Sequence, residues 1–256
     1  MATLDGDGVP IHYRVHGPPT DRAPLLLSHG YSSSTSMWDP NLGALGAHRQ
    51  LIVWDMRGHG RSGSPPDPEL YSEAASVEDM GAVLDACGAD RAVVGGLSLG
   101  GYLSLAFHLA HPTRVTGLLL FDTGPGFKND GARSQWNRYA ESTAAGFERE
   151  GLGSLSASPE VGAGHHDPVG LALAARGILT QSDSRIIESL PTVAVPTLVL
   201  VGANDRAFLA AADYMAAKIP GAALTVLPDA GHAANIDQPE AFDLEVGRFL
   251  DRPDVA

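Results

Sequence analysis

The stretch Val93-Val94-Gly95-Gly96-Leu97-Ser98-Leu99-Gly100-Gly101 decides how this chain is read. Ala92-Val93-Val94 is a short apolar run that predicts a buried strand, and a helical run follows from about Ser98 to Ala110. Between them lies Gly96-x-Ser98-x-Gly100, the pattern of a nucleophile elbow. A serine at the tip of a tight strand-to-helix turn is held in strained backbone geometry with its hydroxyl exposed. Side chains two positions before and after it would collide with the neighbouring strand and helix, so glycine suits both places. The helix then offers its N-terminal N–H groups and positive dipole end to an anion formed beside the serine.

Outward from the elbow, the other apolar runs set the architecture. Ile11–His16, Leu25–Leu27, Leu51–Trp54, Leu118–Phe121, Leu198–Val201 and Leu224–Leu227 read as strands. Apart from Ile11–His16, the runs are apolar almost throughout, as expected of a parallel sheet covered by helices on both faces. Helices are expected over Met37–Leu45, Ala74–Ala86, Ala207–Lys218 and Pro239–Leu250. In the second of these, Val77, Met80, Leu84 and Cys87 form the apolar stripe, and Glu73, Glu78, Asp79 and Asp85 fall on other faces. The alternation predicts an α/β fold with an open, mostly parallel, doubly wound sheet. From Gly124 to Leu190 no strand is evident; helical patterns near Asp130–Thr143, Pro168–Leu179 and Ser184–Leu190 predict a helical cap. Asp167-Pro168 fits an N-cap followed by proline at the first helical position. The expected organisation is a core of 1–124 and 191–256, with 125–190 as the cap.

Composition narrows the function. The chain has 256 residues, 44% hydrophobic and 18% charged, which suits a globular protein with a sizeable core. A net charge of −13 argues against nucleic acid and anionic membranes as partners. One cysteine, Cys87, excludes an internal disulfide and suits a reducing compartment. Met1–Pro10 lacks the features of a signal peptide, and no run approaches the roughly 18 apolar residues of a membrane span. A cytoplasmic location is expected; the oligomeric state is left open.

In an open parallel sheet, ligands gather at the carboxyl ends of the strands. His29-Gly30-Tyr31, Ser98, Asp122, Asn204-Asp205 and Gly231-His232 all follow predicted strands. Serine is a weak nucleophile and needs a base. The base needs an acid to fix its tautomer and to stabilise the imidazolium. Ser98, Asp205 and His232 supply this set, and the backbone N–H groups of Leu99 and Tyr31 would form an oxyanion hole. Asp122, at the end of another strand, is the alternative acid. No cofactor or metal is required.

These residues give the chain a strong resemblance to the α/β-hydrolase superfamily, in the branch with a helical cap after the sixth strand. It rests on His29-Gly30, Asp55-Met56-Arg57-Gly58-His59-Gly60-Arg61-Ser62, Gly96-Leu97-Ser98-Leu99-Gly100-Gly101, Gly202-Ala203-Asn204-Asp205 and Ala230-Gly231-His232. The resemblance favours Asp205 over Asp122, because the Asp205 motif matches the commoner arrangement. It implies a cofactor-free serine hydrolase acting on a small ester or lactone through an acyl-enzyme. A carbon–carbon bond hydrolase, a perhydrolase and a non-catalytic small-molecule receptor of the same fold are the alternatives. Relatives that are dehalogenases and epoxide hydrolases use aspartate where this chain has Ser98. Ala233–Glu240 is more similar to esterases and enol-lactonases than to carbon–carbon bond hydrolases, which tend to carry tryptophan soon after the histidine. His29-Gly30 lacks the extra glycines of many lipases.

The remaining polar motifs have plainer readings. Asp55, Arg57, His59 and Arg61 are mainly structural in the family. His165-His166-Asp167 reads as a solvated loop and helix cap, because adjacent residues with no further ligands at metal spacing make a poor metal site. His108 and His111 read as packing and capping residues. Trp38, Phe127, Trp136 and Tyr139 are candidates both for the pocket wall and for core packing.

Overall fold

The computed structural model describes residues 2–161 and 164–255. Eight strands form one sheet: β1 Ala2–Gly6, β2 Val9–His16, β3 Leu25–Ser28, β4 Leu51–Trp54, β5 Ala92–Leu97, β6 Val115–Phe121, β7 Thr197–Gly202 and β8 Ala223–Leu227. Their order is β1-β2-β4-β3-β5-β6-β7-β8. β1, β2 and β4 pair antiparallel in sequence, and every pairing from β4 to β8 is parallel. The chain therefore has the α/β-hydrolase fold, with a mostly parallel sheet.

The continuous apolar runs divide residue by residue between two cores. Leu26, Ile52, Val94, Leu118 and Leu120 pack on one face with Val77, Met80 and Val83 of helix α2 (Glu73–Ala86) and Leu103 and Phe107 of helix α3 (Leu99–Ala110). Leu25, Leu27, Val53, Val93, Leu119 and Phe121 pack on the other with Trp38, Leu45, Phe242 and Phe249. Each face receives every second residue, so strands buried on both sides show no alternation in the sequence. β8 departs from that expectation. It is an edge strand, and its Leu224 and Val226 are exposed.

Three local differences have clear causes. β1 is a strand in a stretch read above only for targeting signals. Asp7-Gly8, with φ of 51° and 81°, makes the two-residue hairpin turn that pairs it with β2. The expected helix over Met37–Leu45 is a 3₁₀ turn, Thr35–Asn41, followed by the short α1, Leu42–Leu45, because Pro40 removes a backbone donor. Asp79 does not lie on a solvated face. It is buried, and its carboxylate takes bidentate bonds from Arg57 Nε and Nη2 at 2.7 and 2.9 Å.

Arg57 also donates to the carbonyls of Gly6 and Leu70, joining the β1 hairpin, α2 and the loop before it. Asp79→Ala strands the Arg57 charge in the interior. A loss of about 3–5 kcal/mol in stability is expected, read as a lower urea midpoint at unchanged m-value.

Between β6 and β7 lie α4 (Asp130–Glu150), α5 (Pro168–Ala174), continued by a π turn over Ala175–Leu179, and α6 (Arg185–Ser189). Asp167 caps α5 by accepting the Val169 N–H at 2.9 Å, with Pro168 at the first helical position. α4, α5 and the π turn share a small apolar cluster: Ala144, Phe147, Leu171, Ala172 and Ala175. The remaining α-helices are α7 (Leu209–Lys218), α8 (Ala234–Asp237) and α9 (Pro239–Leu250). Among the described residues, no helix is long and apolar enough to cross a membrane.

Candidate active site

β5 delivers Ser98 to the N-terminus of α3 with φ 55° and ψ −116°. This is a strained conformation for any residue but glycine, and costs on the order of 1–3 kcal/mol. The surroundings hold it there. The Ser98 N–H donates to the Phe121 carbonyl at 2.9 Å, and the Ser98 carbonyl accepts from the Gly101 and Tyr102 N–H groups and from Thr123 Oγ1 at 2.5 Å. A methyl group on Gly100 would lie 2.2 Å from the Ser28 carbonyl oxygen, and one on Gly96 would lie 2.5 Å from it. The two glycines are thus required by the close passage of β3. The Leu99 N–H opens α3, where the helical ladder supplies no acceptor.

The loop after β3 runs beside the elbow. A methyl on Gly30 would sit 3.5 Å from Ser98 Cβ. Three buried histidines brace this loop. His29 Nδ1 donates to its neighbour's carbonyl, Gly30 O, at 2.7 Å, and Nε2 accepts the Met56 N–H at 3.0 Å. His59 Nδ1 donates to Arg57 O, and Nε2 accepts the Ser32 N–H at 3.1 Å. His165 Nε2 donates to Ser32 O at 2.9 Å, and Nδ1 accepts the Gly60 N–H. Each ring needs one bare nitrogen, so all three must be neutral. Burial enforces this: it pushes His29 down to about 3 and His59 well below the usual imidazole range, and it also lowers His165.

His165 is therefore buried and bonded to the core, and the solvated-loop reading of it is corrected. Its sequence neighbourhood gives no sign of this, since its partners lie more than a hundred positions away. Asp55 is structural in the same sense: its carboxylate accepts the Thr35 and Arg61 N–H groups.

On the other side of Ser98, β7 ends in a loop carrying Asp205, and the loop after β8 carries His232. A methyl on Gly202 would lie 2.2 Å from the Gly231 carbonyl oxygen, so the two loops pass in direct contact. The Asn204 N–H donates to Ala230 O at 2.8 Å and fixes their register. His232 Nδ1 meets Asp205 Oδ2 at 2.7 Å, and its ring stacks on Phe208 at 5.0 Å. Burial disfavours the imidazolium, but the hydrogen bond and charge of Asp205, with a lesser contribution from Glu160, outweigh it and raise the His232 pKa.

Asp122 sits elsewhere. It is fully buried at the end of β6, and its Oδ1 accepts the Gly202 N–H at 2.8 Å. Burial pushes its carboxyl up to about 8, so it is largely protonated at neutral pH.

Ser98, Leu99, Tyr31 and His232 line one cavity of about 560 Å³, and Asp205 reaches His232 from behind the ring. That volume suits a small-molecule ligand. The cavity is roofed by residues of the segment between β6 and β7, including Phe127, Trp136, Tyr139 and Leu179. Trp136 is fixed by its Nε1 donating to Leu179 O at 2.8 Å. Trp38, grouped with these aromatics above, is instead fully buried against Phe121 and Phe242. Tyr102, Phe208 and Glu160 also line the cavity and carried no signal in the sequence. Among the described residues, no group of three His, Cys, Asp or Glu side chains is placed to hold a metal ion.

Comparison with known proteins gives the chain its family. The RutD protein of Caulobacter sp. (strain K31), whose name proposes a carbamate hydrolase, is 30% identical, with 97% of each chain covered. A Bacillus subtilis (strain 168) protein, whose name proposes a 2-succinyl-6-hydroxy-2,4-cyclohexadiene-1-carboxylate synthase, is 27% identical over 95% of this chain and 96% of its own. The crystal structure of the enol-lactonase from Burkholderia xenovorans LB400 superposes with a TM-score of 0.78 at 28% identity, covering 98% of this chain and all of that one. The family model for the alpha/beta hydrolase family matches residues 25–243. On that match, spanning the elbow, the acid loop and the histidine, the chain belongs to the alpha/beta hydrolase family.

Proposed function

We propose that this protein is a serine hydrolase that cleaves a small carboxylic ester or lactone through an acyl-enzyme. One observation carries the reading: Ser98, on a strained turn, opens into the same cavity as a histidine whose other ring nitrogen is bonded to a buried carboxylate. Asp205 keeps the proton on His232 Nδ1 and leaves Nε2 as the base. Ser98 Oγ attacks the substrate carbonyl carbon while His232 takes the hydroxyl proton. The oxyanion is received by the N–H groups of Leu99 and Tyr31, reinforced by the N-terminus of α3. His232 returns its proton to the departing alkoxide, which leaves as the alcohol. Water then repeats the sequence on the acyl-serine, releasing the carboxylic acid and regenerating Ser98.

The test is reaction with a fluorophosphonate followed by peptide mass mapping, together with a hydrolysis screen over short acyl esters and lactones. The adduct is expected on Ser98, with turnover of at least one ester class. An intact protein that binds small molecules but neither labels nor turns over is a receptor, and the proposal fails.

We read 125–190 as a cap that selects the substrate without supplying the triad. Trp136→Ala is expected to reorder kcat/KM among acyl chains while changing reactivity toward p-nitrophenyl acetate less. A uniform loss across all substrates assigns Trp136 to folding instead.

A further inference from the structure

The cavity above Ser98 has a charge pattern that constrains what enters it. Among the described residues lining it there is no lysine and no arginine. Met1, Gly162, Ala163 and Ala256, outside that description, have no cationic side chain. The wall is apolar at Phe127, Trp136, Leu179 and Phe208, and its carboxylate is Glu160. The backbone of Glu160 is tied to the core, its carbonyl accepting from Ser33 Oγ at 2.5 Å. Four arginines of the overlying segment are engaged elsewhere, Arg133 with Asp130, Arg149 with Glu150, Arg176 with Glu141 and Glu148, and Arg185 with Asp183, and Lys128 and Arg138 are not among the lining residues.

We propose that this site takes an uncharged acyl group and that Glu160 is the residue that rejects acyl chains ending in a carboxylate. The hydrolysis of such a substrate rests on the serine-hydrolase reading; the charge selection does not. A carboxylate entering this cavity loses hydration without gaining a lysine or arginine partner, and burying an unpaired charge is costly. It also meets the like charge of Glu160 in a partly dehydrated space, where Coulomb repulsion is stronger than in water. An uncharged acyl chain meets neither penalty and covers the aromatic wall.

The experiment compares p-nitrophenyl hexanoate with mono-p-nitrophenyl adipate, which has the same chain length but an ω-carboxylate. The wild-type protein is expected to favour the neutral ester in kcat/KM by about 100-fold or more, and Glu160→Gln to narrow that ratio by about 10–30-fold. A second readout is the pH profile. His232 is acted on by the carboxylates of Asp205 and Glu160, each favouring the imidazolium. Removing one should move the acid limb of kcat/KM for the neutral ester to lower pH, an effect that a scaffold role would not produce.

Equal efficiency on the two esters in the wild type overturns the proposal. A Glu160→Gln variant that lowers both together, with the acid limb unmoved, overturns the role of Glu160. If neither ester is turned over, calorimetry on Ser98→Ala with methyl hexanoate and monomethyl adipate decides the matter separately from the chemistry. Binding of the neutral ester alone upholds the charge selection although the hydrolase reading has failed, and equal or reversed affinities refute it.

Discussion

Ser98→Ala is expected to fold as the wild type does and to lower kcat on an activated ester by about 10⁴–10⁶-fold, by analogy with triad deletions in unrelated serine enzymes. The expectation of intact folding comes from the elbow itself. Its hydrogen bonds run through the Ser98 backbone to Phe121, Gly101, Tyr102 and Thr123, and alanine keeps all of them. The close passages at Gly96 and Gly100 are untouched. What alanine lacks is the Oγ. The loss should fall on kcat rather than KM, because the cavity wall that binds the substrate is unchanged. Steady-state kinetics with a melting curve on the same preparation check both parts. More than about a tenth of wild-type turnover in the variant rules out Ser98 as the nucleophile.

Asp205→Asn is expected to cost on the order of 10⁴-fold in kcat, with little change in melting temperature. The amide can donate a hydrogen to Nδ1, which shifts the imidazole proton to Nε2 and removes the base that faces the serine. Asp122→Asn should cost far less. Burial already holds the Asp122 carboxyl up to about 8, so at neutral pH it is mostly the uncharged acid that asparagine mimics, and the amide oxygen still accepts the Gly202 N–H.

The two variants also separate in stability. A carboxyl whose pKa is raised on folding binds more protons in the folded state between its unfolded value, about 3.9, and about 8. Stability therefore falls as pH rises across that window, and Asp122→Asn should remove this slope. Melting temperatures of wild type and variant from pH 5 to about 8 test the sign. A larger kinetic loss at Asp122 than at Asp205 reverses the assignment of the acid.

The segment roofing the cavity shows what local sequence reports and what it omits. Asp167-Pro168 announces the start of α5, and the cap is formed as the local signal predicts. The role of His165, two positions earlier, is invisible at that range, because its partners are backbone atoms of Ser32 and Gly60. Asp79 is the same kind of case in α2. Charge normally marks the wet face of a helix, and nothing near Asp79 in sequence shows that Arg57 is waiting beneath it.

The α/β fold, the parallel strands and the elbow were legible because each rests on short-range physics: the length and apolarity of a run, the glycines a crowded turn demands, the residues that start or stop a helix. The candidate residues were legible for a related reason, since strand ends in a parallel sheet converge on one edge. Only the tertiary structure showed the contact of Asp205 with His232 Nδ1, the burial that raises the Asp122 carboxyl, which aromatics border the cavity, and the pairing of the three histidines that brace the loop beside Ser98. Those outcomes depend on desolvation and on contacts between residues far apart in the chain, and neither exists until the chain has folded.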